Sequence, residues 1–485
     1  MKKIVSLFFL IIMGLMVGFK KEKEEKLNVL FIVADDLRPE LGTFGAAHIK
    51  SPNVDKLAAS SAIFERAFCN IPVCGASRSS FLSGIRPGRY RFFNHNDFLN
   101  EHYPGAKSMP RIFHENGYTT ISNGKVFHNK ADEKDAWDEI WQAKENSSMD
   151  WISPENLALL KDEETIKAGN RPNPYEDVAL NDTDYKDGKM ALKIKEDLQK
   201  LKKAGKPFFL TVGFHKPHLP FTAPKKYWDM YDSTKIHLPA NYSQPASTPK
   251  VAFHNSGELR SYHGIPDKGP VSEATAKKLI HGYYACVSYV DAQLGIIVDE
   301  LTRLGLDKNT VIVVIGDHGW NLGDHEMWNK HCNFSSSLST PLLIKIPKKT
   351  SGQRIKDIVE FIDIFPTLTQ LTKLPLPTTA SGESILPLIE KEKRNKNYAI
   401  SRWEDGLTVI QDQYYYTEWT DSKDNRTNRM MFDHKKDPLE LNNVAENPEY
   451  ATKVTELSAL MRANRGEDFW VDRRTDKSKG RRGTE

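Results

Sequence analysis

Cysteine is scarce: Cys69, Cys74, Cys286 and Cys332 are the only four in 485 residues. Two bridges are permitted, but disulfides are excluded as the main source of stability for a chain of this length. A dominant charge is also missing. The 68 basic and 64 acidic side chains leave a formal net charge of +4. No whole-molecule field therefore favours nucleic acid, and an anionic ligand has to be met locally. There is no internal repeat and no glycine-rich loop of the kind that cradles phosphates. The apolar stretch from Ile4 to Phe19 falls short of the roughly 20 residues that a spanning helix needs. Preceded by Met1-Lys2-Lys3 and followed by the charged run Lys20 to Lys26, it reads as an export signal over residues 1–22. A membrane is expected as a partner only if that segment stays uncleaved, and no cysteine follows it to carry a lipid.

What is present describes a globular enzyme. Hydrophobic residues make up 39% and charged residues 27% of the chain, enough for a large α/β domain plus a smaller one. Leu27 to Ala34 is a continuous apolar run that stops at Asp35-Asp36, as expected of a strand buried on both faces. Thr310 to Ile315 is a second such run and stops at Gly316-Asp317-His318-Gly319. Pro207 to Phe214 is a third and delivers His215-Lys216-Pro217-His218. Open α/β sheets bind ligands beyond the carboxyl ends of their parallel strands, so three runs finishing in Asp, His or Lys imply one shared site. Helices are expected over Ser51–Phe64 and Ala274–Leu301. The lysine-rich segment 193–206 reads as an amphipathic helix with Ile194, Leu198 and Leu201 inward. Beyond Lys396, the runs 397–401 and 413–417 read as antiparallel strands.

Between the first strand and the rest lies Cys74-Gly75-Ala76-Ser77-Arg78-Ser79-Ser80-Phe81-Leu82-Ser83-Gly84. A cysteine in a Gly/Ser-rich loop beside an arginine can be a thiolate nucleophile of lowered pKa or a structural thiol. The segment resembles the signature of the sulfatase family, whose cysteine a maturation enzyme converts to formylglycine; it departs at Ala76, where most members have proline. Asp35-Asp36, Gly124 to His128, His215 to Phe221, Asp317 to Trp320 with Lys330, Phe361 to Leu368 and Asp433 to Asn442 follow in the family's order. The likeness is to its iduronate-2-sulfatase branch.

That resemblance implies an alkaline-phosphatase-like α/β fold, with a large, mostly parallel sheet between helices over 26–395. It also implies a smaller antiparallel sheet with a C-terminal helix over 396–472, followed by a flexible tail, 473–485. It implies one calcium ion held by Asp35, Asp36, Asp317, His318 and the modified Cys74, an oxygen-rich set suited to a hard cation. Many relatives carry asparagine in place of His318. Arg78 would activate the nucleophile, Lys125 and Lys330 would hold sulfate oxygens, His218 would protonate the leaving alcohol and His128 would act as base. His215 is the alternative to His218. Trp320, His325 and Trp328 would either stack on sugars or pack their loop. The implied partners are a sulfated carbohydrate and the maturation enzyme. The competing expectations are a phosphatase or phosphonate hydrolase on the same fold, and a catalytically dead polysaccharide-binding protein.

Overall fold

The computed structural model describes residues 26–129, 131–143, 151–245, 247–466 and 469–470. The expected export signal and the tail from 473 lie outside them. Eight strands form one sheet: β1 (Asn28–Asp35), β2 (Ala62–Phe68), β3 (Thr119–Gly124), β4 (Glu139–Trp141), β5 (Phe208–Pro217), β6 (Thr310–Gly316), β7 (Leu342–Lys345) and β8 (Arg354–Glu360). Their order across the sheet is β8-β2-β7-β6-β1-β5-β3-β4. The pairs β6–β1, β1–β5, β5–β3 and β3–β4 are parallel, and β7 alone runs antiparallel to both of its neighbours.

The uninterrupted apolar runs follow from burial on both faces. Leu30, Ile32 and Ala34 of β1 enter one core, against helices Lys186–Ala204 and Glu273–Arg303. Val29, Phe31 and Val33 enter the other, against helices Cys74–Ser83, Met109–Glu115 and Ile364–Thr372. The two-residue period is intact, but with apolar cover on both sides it leaves no polar face to read. The expected inward residues of the lysine-rich helix, Ile194, Leu198 and Leu201, are all buried.

One helix is shorter than expected. The run from Ser51 splits into helix Pro52–Ala58 and strand β2. The Ser60 and Ser61 hydroxyls both donate to the Leu57 carbonyl at the helix end, a local competition with helix propagation that short polar side chains provide. Ala62, Ile63 and Phe64 then pair with Ile344, Leu343 and Leu342.

Residues 398–433 form a four-stranded antiparallel meander, Tyr398–Trp403, Gly406–Gln411, Tyr414–Thr420 and Arg426–Asp433. Helix Ala451–Asn464 covers it through Val454, Leu457 and Met461. A buried charge cluster fastens this sheet to the large one. Glu360, at the end of β8, accepts from Arg86 at 2.5 and 2.7 Å, from Asn70 Nδ2 at 3.0 Å and from the Ile400 N–H at 2.7 Å, and it pairs with Lys396. Burial opposes its ionisation, yet Arg86 and Lys396 hold its carboxyl well below the usual range. All four cysteines are buried free thiols, and among the described residues no helix is long and apolar enough to cross a membrane.

Glu360→Gln leaves the buried Arg86 without its counter-charge and Lys396 with Asp363 alone, so equilibrium urea unfolding should show a loss of order 3 kcal/mol. Glu65→Gln, which breaks the exposed pair with Arg354, should cost less than about 1 kcal/mol. Equal effects would mean that the buried cluster carries no special weight.

Candidate active site

The parallel strands β6, β1, β5 and β3 end side by side, so their carboxyl ends share one edge. They deliver Asp317-His318, Asp35-Asp36, His215 to His218 and Lys125. Asp36 turns the chain with a positive φ of 63°. That turn is held by its N–H donating to Asp317 Oδ1 at 3.0 Å and by Tyr283 Oη donating to its carbonyl at 2.8 Å. The His318 N–H also donates to Asp317 Oδ1, at 3.0 Å. Gly213 lets β3 leave over β5: a Cβ there would lie 2.1 Å from the Lys125 backbone.

Cys74 opens a buried helix, Cys74–Ser83, rather than sitting in the expected loop. The helix is seated by its own polar side chains. Ser77 Oγ donates to the Asp317 carbonyl at 2.6 Å. Arg78 Nε donates to Asp317 Oδ2 at 2.9 Å and Nη2 to Asp35 Oδ1 at 3.2 Å, while Nη1 reaches the carbonyls of Lys125 and Val126. Gly75 is required by close approach, since a Cβ would fall 2.1 Å from the His95 carbonyl. Burial, then Asp35, push the Cys74 thiol up. That direction runs against the lowered-pKa thiolate, one of the two sequence readings.

One ligand atom each of Asp35, Cys74, Asp317 and His318 lies within 4.8 Å of the others. His318 Nδ1 lies 3.0 Å from the Gly319 carbonyl, which can only accept, so the proton is on Nδ1. The Nε2 lone pair then faces Cys74 Sγ at 3.2 Å, Asp36 Oδ1 at 3.5 Å and Asp317 Oδ2 at 3.7 Å. Asp36 Oδ1 is fully buried and accepts no hydrogen bond; Lys330 Nζ is 3.3 Å away but wrongly oriented to donate. Burial works against Asp35, yet Lys125, His218 and Arg78 hold its carboxyl well below the usual range. For Asp36 burial prevails and pushes the carboxyl up, with Lys330 and His218 opposing. An orphaned buried oxygen, a burial-raised carboxyl and an inward-facing imidazole lone pair fit a divalent cation.

On the open side, Lys125 Nζ pairs with Asp35 Oδ2. His218 Nδ1 lies 2.6 Å from the Leu219 carbonyl and Nε2 lies 3.3 Å from Lys330 Nζ. Burial disfavours an imidazolium at His218, but Asp36 and Glu258 raise its pKa to about 10. His128 is pushed the other way, to about 2, by burial and Lys125, and stays neutral; its ring stands edge-on to His95, with centroids 5.8 Å apart. His215 sits apart, 3.1 Å from Asp187. Trp320, His325 and Trp328 are fully buried and pack their loop. Lys330 lies over the Trp320 ring, 5.0 Å from its centroid. Glu258, which no sequence feature singled out, lies 3.0 Å from both His218 and Lys330.

This fold recurs in solved structures. A phosphonate monoester hydrolase from Silicibacter pomeroyi superposes with a TM-score of 0.74 at 22% identity, covering 91% of this chain and 95% of that one. A 2-O GAG sulfatase gives 0.70 at 20% identity, covering 92% and 94%. The architecture is thus alkaline-phosphatase-like, a class whose members carry out more than one hydrolysis. Residues 27–374 match the family model "Sulfatase" and residues 323–467 match "N-sulphoglucosamine sulphohydrolase, C-terminal". The iduronate 2-sulfatase of Mus musculus is 33% identical over 388 residues, covering 73% of this chain and 70% of that protein. The Homo sapiens protein is 32% identical, covering 76% and 73%. The chain belongs to the sulfatase family and is a hydrolase of sulfuric ester bonds.

Where Cys74 is still cysteine, its raised pKa should make alkylation by iodoacetamide slow at pH 7 and faster as pH climbs past the free-thiol range near 8.5. Rapid, pH-independent alkylation at pH 7, read by peptide mass, would mean a thiolate.

Proposed function

We propose that this protein removes sulfate from a sulfated carbohydrate, using bound calcium and a formylglycine made from Cys74 by a maturation enzyme. The observation that carries the reading is the convergence of Cys74, Asp35, Asp317 and His318 within 4.8 Å, with the orphaned Asp36 Oδ1 3.5 Å from His318 Nε2. Asp35, Asp36, Asp317, His318 and the modified Cys74 would hold the ion; the oxygen-rich set favours calcium over zinc. When bound, calcium supplies positive charge that favours ionisation of an adjacent hydroxyl and polarises a sulfate oxygen. A hydrated aldehyde at Cys74 would offer two hydroxyls, one as nucleophile toward sulfur and one whose proton His128 could accept as sulfate departs.

The protein's own groups supply the remainder. Arg78 balances the charge of Asp35 and Asp317 and keeps the Cys74 helix seated on them. Lys125 and Lys330 face the site with full positive charge and offset negative charge on sulfate oxygens. His218, charged at neutral pH, gives its proton to the ester oxygen as the S–O bond breaks, so the product leaves as an alcohol. His128 is neutral and can take the proton of the second hydroxyl. A carbohydrate is supported as substrate by the likeness to the iduronate 2-sulfatases, and the apolar segment 4–19 supports export. Release of inorganic sulfate from a panel of defined sulfated oligosaccharides tests the reading; no sulfate released from any of them, or preference for phosphate esters, would overturn it.

Two substitutions test the machinery. Asp317→Asn keeps an acceptor for the backbone N–H groups of Asp36 and His318 but removes a negative charge from the cation site. Calcium content measured on the purified protein should fall from about one per chain to near zero, and unchanged content would remove Asp317 from the ion. In active enzyme, the peptide containing Cys74 should carry an aldehyde in place of the thiol. Cys74→Ser, which has a single hydroxyl, should release product at most once per chain. Sustained turnover by that variant, or activity with only free thiol at Cys74, would sink the formylglycine assignment.

A further inference from the structure

Among the described residues, Glu258 is an acidic side chain of the site that neither the proposed nucleophile nor the proposed cation cluster uses. It stands on a short helix, Gly257–Arg260, entered through Ser256 at a positive φ of 58°. Hydrogen bonds stitch this segment to the hairpin that carries Lys330. His254 Nε2 donates to the Lys330 carbonyl at 3.0 Å, the Trp328 N–H donates to Ser256 Oγ at 3.0 Å, and Asn329 Nδ2 donates to Glu258 Oε2 at 3.0 Å. The carboxylate is thus delivered to a fixed place, with its side chain 16% exposed. There its two oxygens separate their partners: Oε1 lies 3.0 Å from His218 Nε2 and Oε2 lies 3.0 Å from Lys330 Nζ.

His218 and Lys330 stand only 3.3 Å apart at Nε2 and Nζ. A carboxylate with one oxygen against each of these nitrogens fixes their separation and their orientation to each other. With Nδ1 committed to the Leu219 carbonyl, Nε2 is the only ring atom that can meet an ester oxygen; its N–H is held by Glu258 Oε1, so an arriving ester oxygen has to take over or share that contact.

We propose that Glu258 is a positioning residue: by bridging His218 Nε2 and Lys330 Nζ it holds both side chains side by side where the bond to the leaving alcohol would lie, the first as proton donor once the ester oxygen displaces its contact with Glu258, the second on a sulfate oxygen. The inference rests on the acid role given to His218. It also implies a specificity: an alcohol leaving group with a high pKa depends on Glu258, whereas an acidic phenol does not. Other arrangements of the same contacts would give no such split. A purely structural carboxylate, lost, slows all substrates alike.

The test compares the full-length matured enzyme with Glu258→Gln, Glu258→Ala, His218→Ala and the Glu258→Ala/His218→Ala double variant. Each is assayed on a sugar sulfate and on 4-nitrophenyl sulfate, with calcium content and unfolding measured in parallel. Glu258→Ala should lower kcat on the sugar sulfate roughly 10- to 100-fold, within the range for general acid catalysis, and on the aryl sulfate by less than about a third of that factor. Glu258→Gln, which keeps one acceptor oxygen, should fall between Glu258→Ala and the parent. In the His218→Ala background the loss of Glu258 should cost only a few-fold more on the sugar sulfate, because residues that act as a unit are non-additive. Equal losses on both esters for Glu258→Ala, with His218→Ala still discriminating between them, would overturn the positioning role. So would full additivity in the double variant. If His218→Ala itself fails to discriminate, the acid assignment fails first, and with it this inference. Should Glu258→Ala not fold, the Glu258→Gln ratio between the two esters decides the matter in the same way.

Discussion

The arrangement depends on placing three carboxylates, Asp35, Asp36 and Asp317, in a space with almost no water. Ions in such a place are tolerated only when paired and hydrogen-bonded. Arg78, itself wholly buried, meets that condition for two of the three by splitting its guanidinium between Asp317 and Asp35. Its planar fork can hold two acceptors on different strands at once, which a lysine's point charge cannot. The helix that carries Arg78 also carries Cys74, so the pairing that makes the carboxylates tolerable sets where the sulfur sits. The strand ends, the helix seat and the Cys74 sulfur are therefore one electrostatic solution.

Much of this was legible because chemistry interrupts hydrophobicity abruptly. Apolar runs that stop dead at Asp35-Asp36 and at Asp317-His318 announce strand ends, and parallel ends share an edge. The long helix from Glu273 and the lysine-rich helix were legible from period alone. The helix at Cys74 was not: glycine, alanine and serine dominate its first turns, and it is buried on every side, so it has no polar face and no period. The Ser51–Phe64 run was over-read because Val54, Leu57 and Ala58 set a helical spacing that Ile63 continues by chance, while Ser60 and Ser61 already end the helix. The aromatic pair Trp320 and Trp328 could have faced solvent or core; only packing decides, and it turned them inward.

Glu258 was invisible for a different reason. It lies in a stretch from Ser243 to Pro270 that is polar, broken by proline and glycine and without periodicity. Such a segment reads as connection. Its role arises from contacts about 40 residues away in one direction and 72 in the other, with His218 and Lys330, a relation that no local pattern encodes. Sites built on strand ends can be read from sequence, whereas the groups that tune them often come from loops.

The charge arithmetic of the site bears on which cation and which ester it suits. Four carboxylates, Asp35, Asp36, Asp317 and Glu258, face four cationic side chains, Arg78, Lys125, His218 and Lys330. The protein alone is thus close to neutral there, yet unevenly so: Asp35 is held ionised by its cations, and Asp36, with one oxygen unmatched, is pushed toward its neutral form. A divalent cation against Asp36 would remove that imbalance and leave two positive charges in excess. A sulfate monoester would bring one negative charge and, on the proposed mechanism, an ionised hydroxyl at the modified Cys74 would bring a second, so the excess would be matched at the moment of attack. A phosphate monoester, largely dianionic at neutral pH, would already match it before the nucleophile ionises, leaving no positive charge to favour that ionisation. The same fold accommodates phosphonate monoester hydrolysis in a structural neighbour, so topology does not make this choice. A phosphonate monoester is likewise singly charged, so the balance of buried charge around Cys74 separates the singly charged esters, sulfate and phosphonate alike, from the dianionic phosphate monoester.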